Sequence, residues 1–269
     1  MRVHAWLRVK NEVGIIADVV THLLEIGCAK VCVLDTGSED GTVEVARQAG
    51  AEVVRSRLPF YHEAAERYAA IVLAKAGDPD WIVQLDADEY IDGSFMEELE
   101  WVSRKQPCLA GLRLRLYDFR FCDAAPEEMT IAAPLPPNRR WVEPFYRRLL
   151  RVYRPLDELC IIPFVEHHTA LVAIEPDLVG DMRGCTLRHY GLCRSAEDFE
   201  RKRHRYTTQH RGRAYDMEWR HAHAIIPREY LREWPLGEPP PADAIEVHVG
   251  SNIAKRDVNN RNRIVSVVW

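Results

Sequence analysis

The chain has 269 residues, 47% of them hydrophobic and 29% charged, with a formal net charge of −5 and a mean hydropathy of −0.29. That length can bury a substantial core as one large α/β domain or one domain with an appendage, and no apolar run approaches a membrane span. The start M-R-V-H-A-W-L-R-V-K lacks the apolar core of a signal peptide, and seven scattered cysteines (28, 32, 108, 122, 160, 185, 193) form no Cys-x-x-Cys pair, so a cytoplasmic setting with reduced thiols and no zinc site is expected.

Arg2–Val9 reads as a first strand, ending at Lys10-Asn11-Glu12. Asn11 is placed as N-cap of a helix whose apolar positions Ile15, Ile16, Val19, Val20, Leu23, Leu24 and Ile26 recur at helical spacing, with Gly27 as its stop. Lys30–Leu34 is a second buried strand, followed at once by D-T-G-S-E-D-G-T over 35–42. A helix through Val43, Val45, Ala46 and Ala49 stops at Gly50, and Ala51–Arg55 makes a third strand. Strand and helix alternating at this spacing indicate a parallel sheet with right-handed crossovers.

A helix from about His62 to Ala76 leads to Trp81–Leu85, nearly all apolar, as a strand buried on both faces is. It runs straight into Asp86, Asp88, Glu89 and Asp92. Ligands of open α/β sheets lie outside the carboxyl ends of such strands. Acids gathered there repel each other unless a cation sits among them, and hard divalent ions take oxygen ligands. A solvated turn would use the same residues.

Ser94 with Glu97 forms a capping-box start for a helix to about Lys105, and Leu109–Leu116 alternates as a half-exposed strand does. Cys122–Pro144, with prolines at 126, 134, 136, 137 and 144, is expected to be a long loop, a common kind of active-site cover. Arg148–Tyr153, Ile161–Val165, Leu171–Ile174 and Cys185–Tyr190 read as short strands, Ser195 as N-cap of a charged helix to about Arg211, and Ile264–Val268 as a last strand or a docked end. Between Arg183 and Arg232 stand twelve Arg or Lys against six Asp or Glu, with five histidines besides. Such a belt meets the phosphates of a nucleotide or a nucleic acid, or is simply a solvated helix face.

Asn11-Glu12 after the first strand, Asp35–Thr42 after the second and Asp86-Ala87-Asp88 after the fourth stand in an order and spacing that resembles the family 2 glycosyltransferases of the GT-A fold. The likeness covers about the first 115 residues well and the rest loosely. It implies a Rossmann-like, mostly parallel central sheet flanked by helices, with a nucleotide-sugar-binding half over 1–115 and an acceptor-side half with a C-terminal extension over 116–269. The implied activity is metal-dependent, inverting transfer of a sugar from a nucleotide-diphosphate sugar, a UDP-sugar first, to an acceptor hydroxyl. Mn2+ or Mg2+ would take up the charge left on the departing diphosphate. In that scheme Asp88 ligates the metal and Asp86 meets the ribose or a metal-bound water. Asp35 accepts hydrogen bonds from base or ribose, and Asn11 and Glu12 line the base pocket.

His189-Tyr190-Gly191, with Arg194, Ser195 and Lys202, resembles the corresponding stretch in the branch acting on lipopolysaccharide core sugars. By that likeness His189 contacts the metal or diphosphate, and Arg194 or Lys202 lies near the phosphates. Imidazole is a reasonable ligand beside carboxylates, and a hydrogen-bonded core histidine is the plainer alternative. The base that takes the acceptor's proton falls on Glu166 or His167, with Asp118 and Glu143 as further candidates on loops. Arg147, Arg148 and Arg151 resemble an arginine-bearing strand of the family, Arg148 being placed at the donor, although surface ion pairing explains them equally well. Trp141 stacks on a sugar or base, or is a buried anchor.

The expected acceptor is a saccharide or lipid-linked saccharide, the latter at the inner face of the membrane. Tyr206, Tyr215 and Trp219, interleaved with the basic belt, leave hydroxylated bases of DNA as a second acceptor class. A sugar nucleotidyltransferase would need a Gly-rich phosphate loop, which Lys10–Gly14 lacks. A non-catalytic nucleotide-sugar-binding protein would keep the same fold.

Overall fold

The computed structural model describes residues 1–57, 63–130, 139–155, 160–161, 172–193, 200–201, 204, 225–247, 253–256 and 264–267. Strands β1 (Val3–Val9), β2 (Lys30–Asp35), β3 (Glu52–Arg55) and β4 (Trp81–Asp86) pair in parallel in the order β3-β2-β1-β4. The crossovers are helices α1 (Ile16–Glu25), α2 (Thr42–Gln48) and α3 (Glu63–Lys75). α1 forms where Ile16, Val19, Val20 and Leu23 share one stripe, and all four are buried. Gly27, at φ 107°, makes the left-handed turn that ends it.

The apolar runs of β1, β2 and β4 are buried on both faces of the sheet. Leu7, Val33 and Leu85 pack on one face with Val19 of α1, Ala46 of α2 and Leu99 of α4 (Phe95–Lys105). Trp6, Leu34 and Ile82 pack on the other with Ile71 and Ala74 of α3. Each large apolar side chain buried in this way stabilises the fold by about 1.5–3 kcal/mol.

Beyond β4 the sheet becomes mixed. It continues in the order β4-β7-β6-β10-β5 through β5 (Glu89–Gly93), β6 (Gly111–Phe119), β7 (Trp141–Tyr153) and β10 (Val179–His189). β7 is antiparallel to β4 and β6, β10 is parallel to β6, and β5 is antiparallel to β10. Short strands β11 (Arg232–Glu233) and β12 (Ile245–Glu246) add to β7. Two small ribbons pair β8 (Cys160–Ile161) with β9 (Val172–Ala173), and β13 (Ile253–Arg256) with β14 (Ile264–Val267).

β4 ends at Asp86 and β5 begins at Glu89, although three strands lie between them in the sheet order. Three Cα steps span at most about 11 Å, whereas four strand spacings in a flat sheet cross about 19 Å. The sheet therefore curls back on itself, and the Ala87-Asp88 turn closes the curl.

This is the expected α/β class, a central sheet flanked by helices, with parallel pairing unbroken only through β4. Several local expectations are corrected. Asn11 caps no helix: α1 starts at Ile16 without a side-chain cap, and Asn11 sits at φ 55°. Ser94 precedes α4, again with no side-chain cap bond. β5 is a strand where a turn was expected, because β10 supplies its partner. β7 begins at Trp141, inside the expected loop. Its pairing with β6 is irregular between Tyr117 and Phe119, so Pro144 falls where the ladder is interrupted. Trp141 is buried against Cys122, Ala125 and Leu231, which removes it as a stacking platform. Residues 200, 201 and 204 are helical, as the Ser195–Arg211 expectation has it; the rest of that stretch lies outside the described residues.

Candidate metal and donor site

Asn11-Glu12 and Asp35–Thr42 leave adjacent strands and are laced into one body. The Asn11 N–H donates to Ser38 Oγ at 2.8 Å, the Glu12 N–H to Thr42 Oγ1 at 2.8 Å and the Val13 N–H to Asp40 Oδ2 at 3.2 Å. In return the Glu39 N–H donates to Asn11 Oδ1 at 2.9 Å, and the Thr36 N–H to the Val9 carbonyl at 2.9 Å. Asp35 is wholly buried; its carboxylate accepts the N–H groups of Gly37 and Ser38 and lies 3.6 Å from Arg55. The D-x-G-S-x-D-G-T spacing thus serves first to fix two loops at the carboxyl end of the sheet. β1 lies between β2 and β4, so the three motifs line three consecutive strand ends.

At the end of β4 the acids divide. Asp86 turns to Arg151, whose NH2 lies 3.3 Å from Oδ2, while Glu89 accepts the Asp86 N–H at 3.1 Å and a close bond from the same guanidinium. Arg151 and Glu89 are both buried, so this is no surface ion pair. Burial pushes the Asp86 carboxyl up, but the guanidiniums of Arg151 and Arg67, with Arg8, outweigh it and hold the group below its ordinary value. For Glu89, burial reinforced by the Asp86 charge outweighs Arg151, and its carboxyl is raised.

Asp88 faces the other way. β10 pairs with β5 so that His189 stands opposite Glu89, and the Tyr190 N–H donates to the Asp88 carbonyl at 2.9 Å. That register sets His189 Nε2 at 3.8 Å from Asp88 Oδ1. His189 Nδ1 lies 2.5 Å from Asp118 Oδ1, and both Asp118 oxygens accept from Arg147, at 3.0 and 2.8 Å. Burial lowers the His189 pKa, but the Asp118 hydrogen bond and charge, with Asp88 and Glu89, reverse this and raise it. Burial likewise pushes Asp118 up, and Arg147 with His189 more than offsets it, holding that carboxyl well below the usual range.

Gly191 borders this pair. A Cβ on it would stand 2.5 Å from His189 Nε2 and 3.0 Å from Asp88 Oδ2, so glycine leaves open the corner onto which both groups look. A carboxylate oxygen and an imidazole nitrogen across such a corner fit a divalent ion. Among the described residues no three His, Cys, Asp or Glu side chains converge as a closed cage. Two protein ligands suit an ion of the Mg2+ kind, which keeps waters and binds substrate phosphates.

The remaining expected residues are distributed as follows. Arg148 projects from the face of β7 opposite Arg147 and pairs with Asp181 at 2.6 Å and Glu246 at 3.0 Å, so the structure does not bring it to the Asp88–His189 group. Asp118 lies in β6 and Glu143 in β7, not on loops, and Glu143 pairs with Arg120 at 2.7 Å. Asp92 binds the buried Arg188, which also donates to the Trp234 and Pro235 carbonyls and stacks 4.0 Å from the Trp234 ring. Glu166, His167, Arg194, Lys202, Tyr206, Tyr215 and Trp219 lie outside the described residues. The Arg147–Asp118–His189 chain and the Arg151 link are what sequence reasoning missed; the acid near the end of the alternating L-R-L-R-L-Y-D stretch was the available signal.

Residues 8–106 match the family model described as Glycosyl transferase family 2. An uncharacterized glycosyltransferase of Rickettsia felis is 31% identical over 101 residues, which are 38% of this chain and 34% of that protein. Another, of Rickettsia bellii, is 30% identical over 105 residues, 39% of this chain and 34% of that protein. The chain spans about a third of the length of the curated relatives it matches. Glucosyl-3-phosphoglycerate synthase from Mycobacterium tuberculosis, in complex with Mn2+, UDP-glucose and phosphoglyceric acid, overlaps 88% of both chains at 14% identity and a TM-score of 0.42. The same enzyme with Mg2+ and UDP overlaps 49% of this chain and 47% of its own at 18% identity and a TM-score of 0.33. Overlaps at that level carry no functional argument. No helix among the described residues is long and apolar enough to cross a membrane.

Proposed function

We propose that the chain moves a sugar from a nucleotide-diphosphate donor, a UDP-sugar first, to an acceptor hydroxyl with inversion, using Mn2+ or Mg2+ held by Asp88 and His189. The observation that carries this reading is the approach of His189 Nε2 to Asp88 Oδ1, 3.8 Å apart over the corner that Gly191 leaves open. A cation bound there supplies Lewis-acid chemistry, stabilising charge that develops on the departing diphosphate. Asn11, Glu12 and Asp35 hold the nucleoside end on their interlocked loops. Asp86, kept charged by Arg151, meets the ribose.

In this reading residues 1–115 form the donor half and 116–269 the acceptor half; the boundary falls inside β6, so the halves share one sheet. Arg194 or Lys202 is the residue assigned to the phosphates. Inversion needs a group to take the acceptor's proton, and Glu166 or His167 is the choice. Asp118 is already engaged by Arg147 and His189, and Glu143 by Arg120. The acceptor is a saccharide or lipid-linked saccharide.

The test is nucleotide release from a panel of sugar nucleotides with Mn2+ or Mg2+, comparing wild type, Asp88→Ala and chelator-treated enzyme. Turnover should need the ion and vanish in Asp88→Ala. Metal-independent turnover indifferent to that change would overturn the reading.

A further inference from the structure

We infer that Asp118, clamped by Arg147, is a positioning residue that fixes the His189 ring so that Nε2 faces the cation beside Asp88. This rests on the reading of Asp88 and His189 as cation ligands. An imidazole can carry its proton on either nitrogen and can turn either one toward an ion. A ligating histidine therefore needs something that selects one tautomer and one ring orientation, and a carboxylate on the other nitrogen does both.

Asp118 is built for that task. Its Oδ1 lies 2.5 Å from His189 Nδ1, and an ionised carboxylate only accepts, so Nδ1 carries the proton and Nε2 keeps its lone pair. The Nε2 side is the one that looks onto Asp88, at 3.8 Å. Asp118 cannot swing away, because Arg147 NH2 donates to both of its oxygens, at 3.0 and 2.8 Å. All three residues stand on strands: β6 lies between β7 and β10, so Asp118 meets Arg147 from one side and His189 from the other. Sites carried on strands are held more tightly than sites on loops. Asp118 is therefore no acid–base candidate; its charge is used twice before any substrate arrives.

The experiment titrates Mn2+ into the full chain, with and without UDP, and follows free Mn2+ by electron paramagnetic resonance. Wild type is compared with Asp118→Asn, Asp118→Glu and Arg147→Met. Asn can offer its amide N–H to Nδ1 and so moves the ring proton to Nε2. We expect Mn2+ affinity to fall about 10- to 100-fold in Asp118→Asn. Asp118→Glu should restore part of it, Arg147→Met should lose less, and echo modulation from a bound imidazole nitrogen should disappear in Asp118→Asn.

Thermal melting of the metal-free proteins identifies any variant that fails to fold, in which case Arg147→Met carries the comparison. Wild-type binding matched by folded Asp118→Asn, with the imidazole signal intact, would overturn the positioning role and leave the cation reading standing. A wild type that binds no Mn2+ under either condition would overturn the cation reading itself, and this inference with it.

Discussion

Arg151 and Asp86 are joined side chain to side chain, 3.3 Å apart at the end of β4, and the same guanidinium nitrogen also binds Glu89. One buried cation thus occupies two of the acids that follow the strand, while Asp88 turns toward His189. The cluster that looks uniform in sequence has three jobs: Asp86 and Glu89 anchor β7 to the strand end, Asp92 holds Arg188, and Asp88 faces His189.

Replacing Arg151 with Met leaves the buried Glu89 carboxyl, with the half-buried Asp86 beside it, without the guanidinium that binds both. Removing one partner of a buried pair costs about 3–5 kcal/mol. Urea unfolding should show that loss in Arg151→Met, and the Arg151→Met/Glu89→Gln double variant should recover part of it. An unchanged midpoint would mean that the triad contributes no stability.

Gly191→Ala tests the open corner directly. The new Cβ would stand 2.5 Å from His189 Nε2, forcing the ring aside. Overpacking of this kind costs about 1–3 kcal/mol, too little to unfold a domain of ordinary stability. Mn2+ affinity and turnover should fall together while the circular dichroism spectrum is kept. A folded variant that binds Mn2+ as wild type does would place the ion elsewhere.

Burial pushes the Cys28 thiol up to about 12 and the Cys32 thiol up to about 11, against a starting value of 9.0. Both folded values lie above the unfolded ones, so this contribution is fully present below pH 9 and is lost as pH rises through the folded values. Between those limits each thiol steepens the fall in stability by about 1.4 kcal/mol per pH unit. Urea unfolding from pH 8 to 11 should show the decline, and Cys28→Ala should flatten it.

Thiol labelling of the native protein gives a simpler check on the core. Cys108 is exposed, whereas Cys28, Cys32, Cys122, Cys185 and Cys193 are buried. Cys108 should react ahead of those five, and Cys108→Ser should remove that fast phase. A fast reaction at Cys28 or Cys185 would contradict the packing around β2 and β10.

The parallel half of the fold is legible because its strands are buried on both faces and its helices carry regular stripes ending at glycines. Strands whose identity depends on a distant partner are not. Glu89–Gly93 reads as a turn until β10, nearly a hundred residues later, pairs with it. The acids and His189 of the site are reached through the motifs that resemble the family's, not through the local pattern alone. Arg147 and Arg148 are not separable in that way, since neighbours on a strand face opposite sides and a shift of one exchanges them. Asn11 caps no helix for a related reason: its side-chain Oδ1 accepts the Glu39 N–H from another loop, which no local capping rule foresees.

The curl closed at Ala87-Asp88 also orders events during synthesis. Asp88 and His189 are about a hundred residues apart, so the ribosome makes one some 5–20 s before the other at about 5–20 residues per second. Through that interval the parallel half can assemble around β1, β2 and β4, but β5 has no partner and Asp88 has no His189 beside it. The nascent chain therefore acquires the interlocked loops after β1 and β2 first. Asp88 and His189 meet only when β10 docks, in the same step that covers the bare edge of β5.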